Sequence, residues 1–178
     1  DFETNVPEEF RLSTKGIEVG HIFYFGDKYS KPMNASVDYK GKKEFVKMGS
    51  YGVGVSRLVG AIIEAKYDDK NEIMNWPISI SPYECAIIPL INKNDNSNLE
   101  KALNIYKYLN EMNIDTIIDD TEENFSSKIK KFNLIGIPFQ IMIGKKSEGD
   151  LYEFKEIGNE AKNLSIEDIA KIIINKKK

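Results

Sequence analysis

The chain has 178 residues, 41% hydrophobic and 30% charged, with 25 Lys+Arg against 28 Asp+Glu for a formal net charge of −3. That length is enough to bury a core in one or two domains. A mean hydropathy of −0.41, with no apolar run near the roughly 20 residues of a bilayer span, argues against a membrane-spanning role. The slightly acidic balance means that any contact with nucleic acid has to come from a local patch. The single cysteine, Cys85, excludes an internal disulfide and fits a reducing compartment. Flanked by Glu84 and Ala86, with nothing basic adjacent to activate it, Cys85 reads as a small core side chain. The sequence begins at Asp1 without an initiating Met, so function is expected to be shared with a piece upstream.

In chain order, Ile17, Val19, His21, Phe23 and Phe25 alternate with Glu18, Gly20, Ile22 and Tyr24, the period of a strand that puts His21 on an apolar face. Residues 36–39 and 44–48 flank Lys40-Gly41-Lys42-Lys43 as a hairpin, Gly41 supplying the positive φ of a tight turn. The second arm runs into Gly49-Ser50-Tyr51-Gly52-Val53-Gly54, after which Val55, Leu58, Val59, Ile62 and Ile63 recur at helical spacing, so the glycines sit where strand passes to helix. Trp76-Pro77 and Ser81-Pro82 bias the chain away from helix and mark a linker; the domain boundary is placed near residue 80, giving 1–80 and 81–178. Beyond it the expected order is an apolar strand over 84–91, a helix with Leu99, Leu103, Tyr106 and Leu109 or Asn110 on its buried face, a strand over 114–119, a basic helix over 126–133, a strand over 137–143, an edge strand over 150–157, and a last helix capped by Ser165 with Ile166, Ile169, Ala170 and Ile173 inward. This is an α/β domain with a parallel or mixed sheet. The terminal Lys176, Lys177 and Lys178 read as a solvated tail.

Arg11 and Arg57 are the two arginines of the chain. In Gly52-x-Gly54-x-x-Arg57 the glycines allow a planar ligand close to the backbone, and the arginine offers a charged fork to phosphate or a face to a purine. The same pattern also describes a tight turn followed by a surface arginine. His21, the sole histidine, is either a substrate contact, a base or a hydrogen-bonded structural residue. Lys128, Lys130, Lys131, Lys145 and Lys146 form a basic stretch with Phe125 and Phe132 as candidate stacking faces, equally a solvated helix face. Asp119-Asp120 at a strand end suits capping or reading of base edges. No metal-ligating set is expected.

Gly16-Ile-Glu-Val-Gly-His-Ile-Phe23, Gly26-x-Lys-Tyr-Ser30, Met48-Gly-Ser-Tyr-Gly-Val-Gly-Val-Ser-Arg57 and Leu134-Ile-Gly-Ile-Pro138, in this order, resemble the C-terminal portion of the bacterial-type prolyl-tRNA synthetases, a family of class II aminoacyl-tRNA synthetases. The resemblance covers nearly the whole chain. It implies the end of an antiparallel-sheet catalytic domain carrying the third class motif, an α+β remnant, then an α/β anticodon-binding domain with a mixed sheet. It implies a proline-tRNA ligase when the chain is whole, and an inactive fragment as it stands. Arg57 is the implied catalytic residue and, with Gly52 and Gly54, the ATP contact. Glu18, Gly20, His21, Phe23 and Ser50 are the implied substrate pocket, Gly20 keeping room. Asp119, Lys128, Lys130 and Lys131 are the implied tRNA contacts. The implied partners are proline, ATP with Mg²⁺, proline tRNA and a second subunit joined through the upstream part, in a bacterial cytoplasm or an organelle. The sequence departs from the family at Ser50, often cysteine, and at Thr121 and Ser127-Lys128-Ile129, where only Lys128 matches. The competing expectation is a stand-alone RNA-binding module without catalysis.

Overall fold

The computed structural model describes residues 2–92, 95–144 and 149–177. The chain divides into two compact units, Asp1–Ala61 and Ile62–Lys178.

The first unit opens with a single helical turn, α1 (Phe2–Asn5), followed by β1 (Gly20–Gly26), β2 (Ser36–Tyr39), β3 (Lys42–Phe45) and β4 (Met48–Val53). β2 and β3 form the expected hairpin. Lys40 and Gly41, at φ 51° and 74°, occupy the two left-handed positions of the turn that matches strand twist. β1 and β4 pair antiparallel, with His21 opposite Gly52 and Phe23 opposite Ser50. β4 passes through Gly54 into α2 (Val55–Lys66), and the division between units falls inside this helix. Ser30 is the one described residue of the first unit that is buried.

In the second unit, β5 (Tyr67–Asp68) and β6 (Ile73–Met74) make a short hairpin. Then come β7 (Cys85–Pro89), α3 (Ser97–Glu111), β8 (Thr116–Ile118), α4 (Phe125–Ile135), β9 (Phe139–Ile143), β10 (Leu151–Glu156), β11 (Lys162–Ser165) and α5 (Ile166–Lys176). The five-stranded sheet has the order β11-β10-β9-β7-β8. β9, β7 and β8 are parallel, as their helical crossovers require, and β10 and β11 run antiparallel. β7 and β9 read as continuous apolar runs because both faces are covered. Cys85, Ile87, Phe139, Ile141 and Ile143 meet Ala102, Ile105 and Leu109 of α3 and Ile169, Ala170 and Ile173 of α5. Ala86, Ile88 and Met142 meet Phe132 of α4 on the other face. Burial pushes the Cys85 thiol well above its ordinary pKa, leaving it inert.

Four expectations are corrected. α3 buries Ala102, Ile105 and Leu109 rather than the stripe of Leu99, Leu103 and Tyr106, because the small Ala102 lets the helix axis approach the sheet. The strand over 151–156 is interior, since β11 takes the edge. Lys176 and Lys177 are no solvated tail: Lys176 pairs with Glu156 at 3.0 Å, Lys177 pairs with Glu84 at 2.7 Å and donates to the Asn113 carbonyl. Phe132 lies in the core and Phe125 packs half-buried beside it, so neither is a stacking face. Lys145, Lys146 and Lys178 lie outside the described residues. Residues 62–80 pack with the second unit, so the packing division precedes the expected linker. Among the described residues no helix is long and apolar enough to cross a membrane.

Candidate functional site

Strand alternation places His21, Phe23 and Phe25 on one face of β1. Their rings stack in series, His21 on Phe23 at 4.1 Å and 7°, Phe23 beside Phe25 at 6.0 Å and 6°. Directly opposite lie Gly52 and Ser50 of β4. A Cβ built at Gly52 would meet nothing within 4 Å, so the space over this glycine, across the strand pair from His21, is open. Glu18 ties the two halves of this face together. Its carbonyl accepts from Arg57 Nη1 at 2.7 Å, and its carboxylate lies 3.3 Å from His21 Nδ1. The other guanidinium donors of Arg57 make no hydrogen bond among the described residues. Gly54 gives its N–H to the Val19 carbonyl, bringing the start of α2 against β1.

The arrangement therefore gathers Glu18, His21, Phe23, Ser50, Gly52, Gly54 and Arg57 at one strand pair. It is an exposed aromatic shelf with an oriented, permanently charged fork, suited to a small apolar group and a phosphate-bearing ligand. Gly20 differs from expectation. It faces away from His21, and a Cβ there would press the Gly52 carbonyl oxygen at 3.1 Å, so it makes room for the partner strand. Among the described residues no group of three or more His, Cys, Asp and Glu could hold a metal ion.

The second candidate surface surrounds the C-terminal ends of β7 and β8. Lys128, on α4, is wholly enclosed. Its ammonium donates to the Pro89 and Asp119 carbonyls at 3.2 and 3.0 Å and lies 3.6 Å from Asp119 Oδ1. Asp119 is itself buried, with Lys131 Nζ at 2.7 Å from Oδ2 and the Thr121 hydroxyl and N–H donating to Oδ1. Burial alone would raise its pKa, but the bonds from Lys131 and Thr121 hold it below the ordinary carboxylate value. Lys131 is correspondingly raised, through Asp119 first and then Glu123, 3.1 Å away.

This corrects the expected RNA contacts. Lys128 and Asp119 are closed to direct contact and instead fix the ends of two strands. Lys131 is shared between two carboxylates. Lys130 is exposed and has no ion pair among the described residues. What the sequence reading missed lies alongside: Leu99, Leu103 and Tyr106 of α3, assigned above to the core, line an open apolar trough with Ile117, Ile118 and Asp120. The apolar stripe of α3 is wider than its one buried face needs, which was the available signal.

A known family, described as the anticodon binding domain, matches residues 84–176. The chain is 67% identical over 178 residues to a proline-tRNA ligase of Pelagibacter ubique, covering 99% of this chain and 40% of that protein. It is 50% identical over 143 residues to one of a Wolbachia of Brugia malayi, covering 80% and 32%. It is 41% identical over 175 residues to one of Phenylobacterium zucineum, covering 97% and 39%. The chain thus spans about 40% or less of the length of these relatives.

Proposed function

Starting from the fact that the chain belongs to the anticodon binding domain family, we propose that it is the C-terminal part of a proline-tRNA ligase, its residues 1–80 completing the catalytic domain and 81–178 binding the tRNA. The observation that carries this reading is the joint presence of the family domain over 84–176 and relatives named for that activity that align with nearly the whole chain. In the whole enzyme, proline reacts with ATP to give the adenylate and pyrophosphate, and the prolyl group then passes to the terminal ribose of the tRNA.

Arg57, held at one nitrogen by Glu18, is the group that meets ATP, and its fixed orientation lets it neutralise phosphate charge without reorganising. Gly52 and Gly54 admit the nucleotide to the backbone. The stacked His21 and Phe23 rings offer the apolar wall that the small proline ring needs, with Ser50 and Glu18 at its margin. ATP would bring Mg²⁺ with its phosphates.

On the second unit, unstacked anticodon bases are taken up by the Leu99, Leu103, Tyr106 trough, where Tyr106 supplies a stacking face and Asp120 an acceptor at the rim. Lys130 attracts the RNA backbone. Lys128 and Asp119 act indirectly by holding the strand ends beneath this surface. The test is the full-length protein assayed for proline-dependent ATP-pyrophosphate exchange and for charging of proline tRNA. Binding of proline tRNA without exchange would replace this reading with the RNA-binding module.

A further inference from the structure

Helix α4 ends at Gly136, whose φ of 86° is left-handed and whose N–H returns to the Phe132 carbonyl. A left-handed cap alone accepts Gly or Asn. Here the position is more constrained, because a Cβ would lie 2.6 Å from the Met74 carbonyl oxygen, 2.7 Å from Trp76 Cδ1 and 2.8 Å from Met74 Cγ. The segment between α2 and β7 therefore lies directly on the end of α4. Trp76 closes the contact by donating its indole N–H to the Ile135 carbonyl at 2.9 Å, one of the orphan acceptors of a helix end. Ile63, Tyr67, Met74 and Trp76 share an apolar hollow with Leu134 and Ile135. The β5–β6 hairpin in this segment is itself stiff: Asp68 accepts from the backbone N–H groups of Lys70 and Asn71 and from the Asn71 side chain.

Trp76-Pro77 thus reads as a linker in sequence and is a clasp in the structure. α4 is the helix that carries Lys130, Lys131 and the buried Lys128. The clasped segment continues N-terminally into α2, whose third residue is Arg57. Were the segment free of α4, the chain that enters the second unit would lose its fixed attachment there.

We propose that Trp76 is a positioning residue for the transfer of the prolyl group to tRNA, acting through the Ile135 carbonyl and the Gly136 cap to fix the connecting segment on α4. The proposal rests on the proline-tRNA ligase reading above. It assigns Trp76 no part in amino-acid activation, which needs no tRNA domain, nor in the affinity for tRNA, since the trough and Lys130 are untouched.

The test uses the full-length enzyme with Trp76→Phe, which keeps the aromatic ring and loses the N–H, and Gly136→Asn, which tolerates the left-handed φ but adds the excluded Cβ. The kcat for charging is expected to fall on the order of three- to tenfold, as for a reacting group displaced by a fraction of an ångström. The KM for tRNA and the proline-dependent exchange should stay within about twofold of the unsubstituted enzyme. Limited proteolysis should show new cleavage within residues 62–80. Exchange and charging falling together with the melting temperature would overturn the proposal in favour of a purely structural Trp76. Unchanged cleavage would overturn the clasp, and increased cleavage with unchanged charging would overturn its positioning role. Gly136→Asn behaving as the unsubstituted enzyme would show that the close approach is not required, and would overturn it as well. Failure of the underlying reading is distinguishable, because then the unsubstituted protein itself would neither exchange nor charge.

Discussion

Ile22, Tyr24, Tyr51 and Val53 in the first unit are 67–78% exposed, whereas Ile87, Ile88, Ile141 and Ile143 in the second are fully buried. Both sets are β-branched or aromatic residues on paired strands, so strand propensity does not separate them. The difference is cover. β7 and β9 have helices on both faces, while β1 and β4 form a two-stranded ribbon with the His21 shelf on one side and an open apolar face on the other. A two-stranded ribbon is marginal alone in water, and an apolar surface of this extent marks an interface. In the proposed reading, the remaining length of the relatives supplies that cover. The second unit therefore buries a core of its own, whereas the first leaves both faces of its ribbon exposed.

The sharpest way to break this contrast is Lys128→Met, which keeps an apolar stem in the buried site but leaves the Pro89 and Asp119 carbonyls without their donor and the Asp119 carboxylate with Lys131 as its remaining cation. Leaving a buried acceptor without its donor costs about 1–3 kcal/mol for each group, and two carbonyls lose theirs. Denaturant unfolding of the full-length protein, followed by a probe in residues 81–178, should show a loss of this size, where His21→Ala on the exposed shelf should be nearly silent. A small loss for Lys128→Met would mean that the cation is not needed and that the second unit is held by its apolar layers alone.

How much of this was legible in the sequence differs by region for physical reasons. The Lys40-Gly41 turn, the Ser165 cap, whose oxygen accepts from Asp168 N–H, and the apolar β7 and β9 carry local signals, and each forms where its residues place it. The β1–β4 shelf was legible because alternation alone decides which side chains share a face. α3 was misphased because Ala102 contributes little apolar weight and yet marks the closest approach. β11, Lys162-Asn163-Leu164-Ser165, has no strand signal of its own and pairs because β10 offers it an edge. The burial of Lys128 and the clasp of Trp76 depend on residues 9 and 59 positions away in the chain, which no local pattern reports.

Arg57→Ala sharpens the comparison from the other side. Losing one charge-assisted contact to ATP, worth about 1.5–3 kcal/mol, should lower proline-dependent exchange in the full-length enzyme by at least about tenfold. Unfolding of residues 81–178 should not change, because Arg57 is exposed and, among the described residues, bonds only to Glu18. Unchanged exchange kinetics would remove the ATP role.

Acid should act mainly on the second unit. The Asp119 pKa is lowered in the folded state, so its contribution is fully present above the ordinary carboxylate value of about 3.9 and is lost as pH falls through the folded value. Melting followed in residues 81–178 should hold steady from neutral pH to about pH 5 and decline below about pH 4. Asp119→Asn should be less stable at neutral pH and have a shallower acid decline. An acid decline unchanged by the substitution would place the responsible carboxylate elsewhere.

The smallest effect separates two neighbouring lysines. Lys130 has no ion pair among the described residues, while Lys131 is held by Asp119 and Glu123. A lysine already neutralised by carboxylates displaces few counterions when RNA arrives, whereas an unpaired one displaces about one. Anisotropy titrations of the full-length protein with proline tRNA at several salt concentrations should therefore show Lys130→Ala reducing the slope of log affinity against log salt by about one. Its affinity should fall equally for tRNAs of different anticodon, since a phosphate contact carries no sequence information. Lys131→Ala should leave the slope nearly unchanged and show its effect in unfolding, because it strips Asp119 of a partner. Equal slope changes for the two variants would mean that RNA breaks the Lys131 pairs on binding, and the α4 surface would then be remodelled by its ligand.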